Sequence, residues 1–160
     1  MAIHKLQIDD FITVDFELIA IHSALEDYRL AYFINSALGI MLERCENGIG
    51  IKVKDGETSF SRYDYEDADG CAWSLIQNKD KVISQHDGPA SLFGEEEMKV
   101  VTNVHLLPEF KKVDYILKIE NIPCNTEVDE IVESLLEIKH IATAYPVEHS
   151  KIKSKNNLIF

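Results

Sequence analysis

The sequence predicts an α+β domain with an antiparallel-rich sheet and two main helices. Three observations predict it. Two Asp-Gly dipeptides, at 55–56 and 69–70, separate alternating runs, a strong hairpin signal. Two segments, 25–38 and 125–138, carry helical apolar patterning, and each follows a segment rich in β-branched and aromatic residues. At 160 residues, 46% of them hydrophobic, the chain is sized for one domain, 1–160, with a core of its own.

The elements follow in order. "AIHKLQI" alternates and predicts a short strand over 2–8, and "TVDFELIAIHS" predicts another over 13–23. Ser23, with Glu26 three residues on, fits a capping box. The helix it opens runs through "LEDYRLAYFINSAL" to a C-cap at Gly39. "IMLERC" (40–45) reads as a strand, and the two Asp-Gly turns then predict a three-stranded antiparallel meander over 49–77. Residues 79–97 are polar, contain "DGP" and "GEEE", and are expected to form a mobile loop. "MKVVTNVHL" (98–106) returns as a strand. In "VDYILKIENI", Val113, Tyr115, Leu117 and Ile119 alternate with Asp114, Lys118 and Glu120, which places the two sets on opposite faces. The second helix has the apolar stripe Val128, Ile131, Val132, Leu135 and Ile138, with Asn125 or Thr126 as cap. "IATAYPVE" closes as a strand whose Pro146 suits an edge.

"VDFELIAI" (14–21) and "VDYILKIE" (113–120) share Val, Asp, an aromatic and Leu in register, and a helix and another strand follow each. The repeated order predicts ferredoxin-like related halves around the β-meander. It also predicts that Val14, Phe16, Val113, Tyr115 and Leu117 point inward while Asp15 and Asp114 do not.

The charge balance narrows the partners. Formal net charge is −12; outside a basic C-terminal tail, 149–160, the body holds 13 bases against 28 acids, a net of −15. Such a body repels phosphate polymers, so nucleic acid is set aside as a partner except through the tail lysines Lys151, Lys153 and Lys155. Cys45, Cys71 and Cys124 form no C-x-x-C pair and are expected as reduced thiols. No run resembles a signal peptide or a membrane span. A cytoplasmic protein with no membrane association is expected.

No catalytic residue, cofactor or metal site is predicted. In the acidic run "YDYEDADG", placing Gly70 at position 6 of a calcium loop puts Tyr65 at position 1 and Ile76 at position 12, which cannot serve as the required side-chain ligands. The six histidines show no zinc spacing. The densest chemistry lies in "LPEFKKVDY" (107–115). Its Glu109 and Asp114 are candidate binding residues, together with Lys151, Lys153 and Lys155. Helix 25–38 is apolar on nearly every side, which nominates Tyr28, Tyr32 and Phe33 for a subunit interface and the chain for a homodimer. The terminal Leu158, Ile159 and Phe160 are expected to dock on their own domain or on a second subunit.

Leu107-Pro108-Glu109, three residues, then Val113-Asp114-Tyr115 resembles the motif of a bacterial group of unassigned function, the IPExxxVDY family, with Leu for Ile at the first position. "AIHKL", "LEDYRLAYFIN" and "KIKSKNNLIF" are also similar to it. The resemblance implies a cytosolic protein and carries no activity or site residues. The expected function is a non-enzymatic protein-interaction or ligand-binding module with an unidentified protein partner. The alternatives are an enzyme using Glu109 and Asp114 as acid and base, or a nucleic-acid-associated protein acting through its tail.

Overall fold

The computed structural model describes residues 16–54, 56–86 and 98–160. In chain order they form β1 (Phe16–Ser23), α1 (Asp27–Leu38), β2 (Glu43–Arg44), β3 (Ile49–Val53), β4 (Gly56–Phe60), β5 (Arg62–Glu66), β6 (Ala72–Gln77), β7 (Lys79–His86), β8 (Met98–His105), β9 (Tyr115–Glu120), α2 (Val128–Leu136) and β10 (Ile141–Pro146). The predicted α+β class is what the structure shows, with two helices and a mainly antiparallel sheet. The strand expected over 2–8, and Val14 and Asp15, lie outside the described residues.

Six strands form the main sheet in the order β10-β1-β9-β6-β5-β2, every neighbouring pair antiparallel. It follows that β9 and β10 are parallel with β1 between them, and that β1 and β6 are parallel with β9 between them. Alternation then sorts the side chains. On β1, Ile19 and Ile21 join a core with Leu30, Ala31 and Ile34 of α1 and Ile131, Val132 and Leu135 of α2. Leu18 and Ala20 face the other way, into a second core. Both faces of the sheet are therefore covered. Helices cover one face. The β3–β4 hairpin (Ile49, Phe60), the 106–113 corner (Leu106, Leu107, Val113) and the C-terminal segment (Val147, Ile152, Leu158) cover the other. The predicted stripe of α2 is the stripe that packs, Val128 and Ile138 included.

Several expectations are corrected. Ser23 ends β1 and is not a helix cap. Its hydroxyl donates to His140 O and accepts from Leu25 N, and Glu26 is the N-cap. Gly39 does end α1, with φ 66° and its N–H on Asn35 O; this left-handed conformation suits glycine. The strand expected over 40–45 shrinks to Glu43–Arg44, because the Asn35 amide binds both N and O of Leu42 and keeps that stretch against α1. The three-stranded meander is broken at Ser61. β4 pairs with β3 in a separate two-stranded sheet, while β5 joins the main sheet beside β6. The Asp69-Gly70 turn stands, organised by the Asp67 carboxylate, which accepts from Asp69 N and Cys71 N. The loop expected over 79–97 is a strand as far as His86, paired with β8. Glu127, not Asn125 or Thr126, holds the N-cap position of α2, with no side-chain hydrogen bond to the helix.

The matching letters of 14–21 and 113–120 do not take matching places. Tyr115 and Leu117 enter the helix-side core, whereas Val113 packs in the opposite one. Phe16 also lies against the opposite core, so it and Tyr115 occupy different faces. The cause is register: Tyr115 sits opposite Ile21, and Phe16 opposite Glu120.

Candidate functional site

The 107–115 motif is a corner tied by a residue outside it. Asn78, fully buried between β6 and β7, accepts from Leu107 N through Oδ1 and donates through Nδ2 to Phe110 O and Val113 O. Its backbone N–H donates to Asp114 O and its carbonyl accepts from Leu106 N. Pro108–Phe110 forms a 3-10 turn in which Phe110 N reaches Leu107 O. Proline suits its first position because no N–H is needed there.

From this corner three side chains reach outward. Tyr115 donates its hydroxyl to Leu25 O at 2.6 Å, pinning the start of the α1 segment. Asp114 accepts from Ser23 N at 3.0 Å and from Lys79 Nζ at 2.6 Å. Glu109 accepts from Lys153 N and Ser154 N, both at 2.8 Å, and from Ser154 Oγ at 3.0 Å. The stretches around 25, 109–115 and 154, which carry the family resemblance, thus meet in space. The two candidate carboxylates serve different neighbours.

Burial, with Asp27 and Asp114 adding negative field, pushes the Tyr115 phenol up to about 12. An unfolded chain releases that proton near 10. The extra stability is complete below pH 10 and is lost as pH rises from 10 towards 12, an effect of about 2–3 kcal/mol. Tyr115→Phe should lower stability at neutral pH by about 1 kcal/mol. It should also flatten the fall in urea midpoint between pH 9.5 and 11.5. An unchanged alkaline slope in that variant would assign the slope to another group.

The tail lies on its own domain. Ile152 and Leu158 are buried in the sheet's second core, and Asn157 Nδ2 donates to Leu106 O. Of the expected terminal anchors, Leu158 is 1% exposed, but Ile159 and Phe160 are 75% and 45% exposed. Phe160 lies over the Lys118 ammonium and the Arg62 guanidinium, 4.7 Å from each. Lys118, buried in the middle of β9, donates to Leu158 O and pairs with Glu120. Lys151, Lys153 and Lys155 are exposed, and Lys151 pairs with the nearby Glu148. On α1, Tyr28 and Tyr32 are 56% and 69% exposed, while Phe33 is half-buried, edge-on to Tyr32 and tilted against His140.

A cleft of about 570 Å³ opens beside the corner, between β7–β8 and the motif. Gln77, Lys79, Asp80, Lys81, Asn103, His105 and Lys111 line it, and Asp80 also accepts from the Thr58 hydroxyl. Lys79 is occupied by Asp114 and Lys112 O. The Lys81 and Lys111 ammonium groups have no carboxylate partner among the described residues. Burial, then the fields of Lys79 and Lys111, hold the His105 imidazole below its ordinary value. Sequence spacing could not assemble this group, because its members come from β6, β7, β8 and the motif.

Among the described residues no cluster of His, Cys, Asp or Glu is arranged to hold a metal, and no helix is long and apolar enough to cross a membrane. Compared with known proteins, the chain matches no family model, no curated protein and no solved structure.

Proposed function

We propose that this chain is a non-enzymatic binding module of the IPExxxVDY family, built on ferredoxin-like related halves, and that it takes a small ligand in the cleft beside its motif. The observation that carries this reading is a contrast in commitment. Glu109 and Asp114 give their hydrogen-bonding capacity to the chain itself, while Lys81 and Lys111 line an open cleft of ligand size. Neither of the two carboxylates that stand out in the motif is left free to meet a substrate proton, which supports a binder over an enzyme that uses Glu109 and Asp114. The β10-β1-β9-β6 order, with its split β9-α2-β10 unit, supports the kinship. Three free cysteines support a cytoplasmic setting.

The test is hydrogen exchange of the native chain with and without a small-molecule extract of its host cells. Protection is expected at 77–81, 103–105 and 111, and should vanish in Asn103→Trp, which fills the cleft from an exposed position. Equal protection in that variant, or none in either protein, would overturn the reading.

A further inference from the structure

We infer that the cleft binds a small phosphorylated polyol, of the sugar-phosphate class, with Lys81 and Lys111 on the phosphate. The inference rests on the binding reading and adds the chemistry of the ligand. Three of the chain's 16 Lys and Arg line this one cleft. A net charge of −12 opposes anion binding at long range. Surface charges beyond about 8 Å are largely screened at physiological ionic strength, so the nearest groups set the sign. Of those, Lys79 is balanced by Asp114, and Asp80, whose oxygens accept from the Thr58 hydroxyl and from Lys81 N, sets one negative charge against the two positive charges of Lys81 and Lys111. Lys81 and Lys111 are left to make charge-assisted hydrogen bonds, the strong kind, to a phosphate.

The rest of the lining specifies the remainder of the ligand. Gln77 and Asn103 offer amide donors and acceptors, and Asp80 offers carboxylate oxygens. These suit several hydroxyls at once. The described lining has no Phe, Tyr or Trp, so it gives a nucleobase nothing aromatic to stack on beyond the His105 ring. A sugar phosphate uses both halves of the lining; bare phosphate uses one, and an uncharged sugar uses the other.

Isothermal titration of the full chain with inorganic phosphate, glucose, glucose 6-phosphate and AMP tests this. Glucose 6-phosphate should bind roughly tenfold or more tighter than phosphate or glucose alone, the equivalent of one good added interaction. AMP should bind no tighter than phosphate. The double variant Lys81→Met, Lys111→Met should weaken glucose 6-phosphate at least as much as losing its phosphate does. Both lysines are exposed, so its thermal melt should match the native chain's. Tighter AMP binding would overturn the polyol assignment, and undiminished binding by the double variant would overturn the phosphate assignment. If the phosphorylated probes fail while host extract still protects the cleft, the ligand class is wrong and the binding module stands. If both fail, the two fall together.

Discussion

Replacing Asn78 with alanine should destabilise the fold by about 3–6 kcal/mol. The variant leaves Leu107 N–H, Phe110 O and Val113 O without the partners they have now, and each unsatisfied buried group costs about 1–3 kcal/mol. Two of the three hydrogen bonds are fully buried, so water can rescue little. Against a total stability of about 5–15 kcal/mol for a domain, the loss is large enough to unfold a substantial fraction of the chain. Asn78→Asp should be worse. It keeps the acceptor for Leu107 N, removes both donors, and turns a charge on two carbonyl oxygens. Urea unfolding of the two variants measures this. A midpoint within error of the native protein for Asn78→Ala would mean that the corner holds by packing alone.

Asn78 also shows where the sequence was legible and where it was not. Period-two alternation correctly put Tyr115, Leu117 and Ile119 on one face, and helical spacing picked the stripe of α2, because burial is a repeated, local signal. The Gly39 cap and the Asp69-Gly70 turn were readable for the same reason: their chemistry lies within four residues. Asn78 has partners 29 to 35 residues away, and in the sequence it is one polar letter after a strand. Local rules fail where a distant group outbids the near one. Ser23 satisfies the capping-box pattern, yet His140 O takes its hydroxyl hydrogen. Val113 alternates in phase with Tyr115, yet the chain turns between them and sends Val113 to the opposite core. In the candidate site, Glu109 and Asp114 stood out by type, but only the fold shows that they bind chain. Lys81 and Lys111 become neighbours of one cleft only when β7 folds back beside the motif.

Deleting residues 151–160 should lower stability by about 3–6 kcal/mol, and the loss should come from two side chains rather than from the lysines. Ile152 and Leu158 are the segment's buried apolar groups, and each is worth about 1.5–3 kcal/mol. The exposed Ile159 and the half-exposed Phe160 add less than the sequence suggested. The ion pair of Lys151 with Glu148 lies in solvent, where such pairs contribute about 0–1 kcal/mol. Exchanging Lys151, Lys153 and Lys155 for glutamine should therefore shift the urea midpoint little, whereas Leu158→Ala should cost about 2–5 kcal/mol. Glu109 supplies the polar half of the latch. Burial raises its carboxyl, but the hydrogen bonds from Ser154 N, its own backbone, Lys153 N and Ser154 Oγ outweigh that and leave it below the ordinary carboxylate range. A depressed carboxyl stabilises the fold fully above its unfolded value and loses that contribution as pH falls through the folded one. Glu109→Gln should cost about 1–3 kcal/mol at pH 7, and less than that as pH drops below about 4. The latch assignment fails if the deletion leaves the midpoint unchanged, or if the triple lysine variant loses as much as the deletion does.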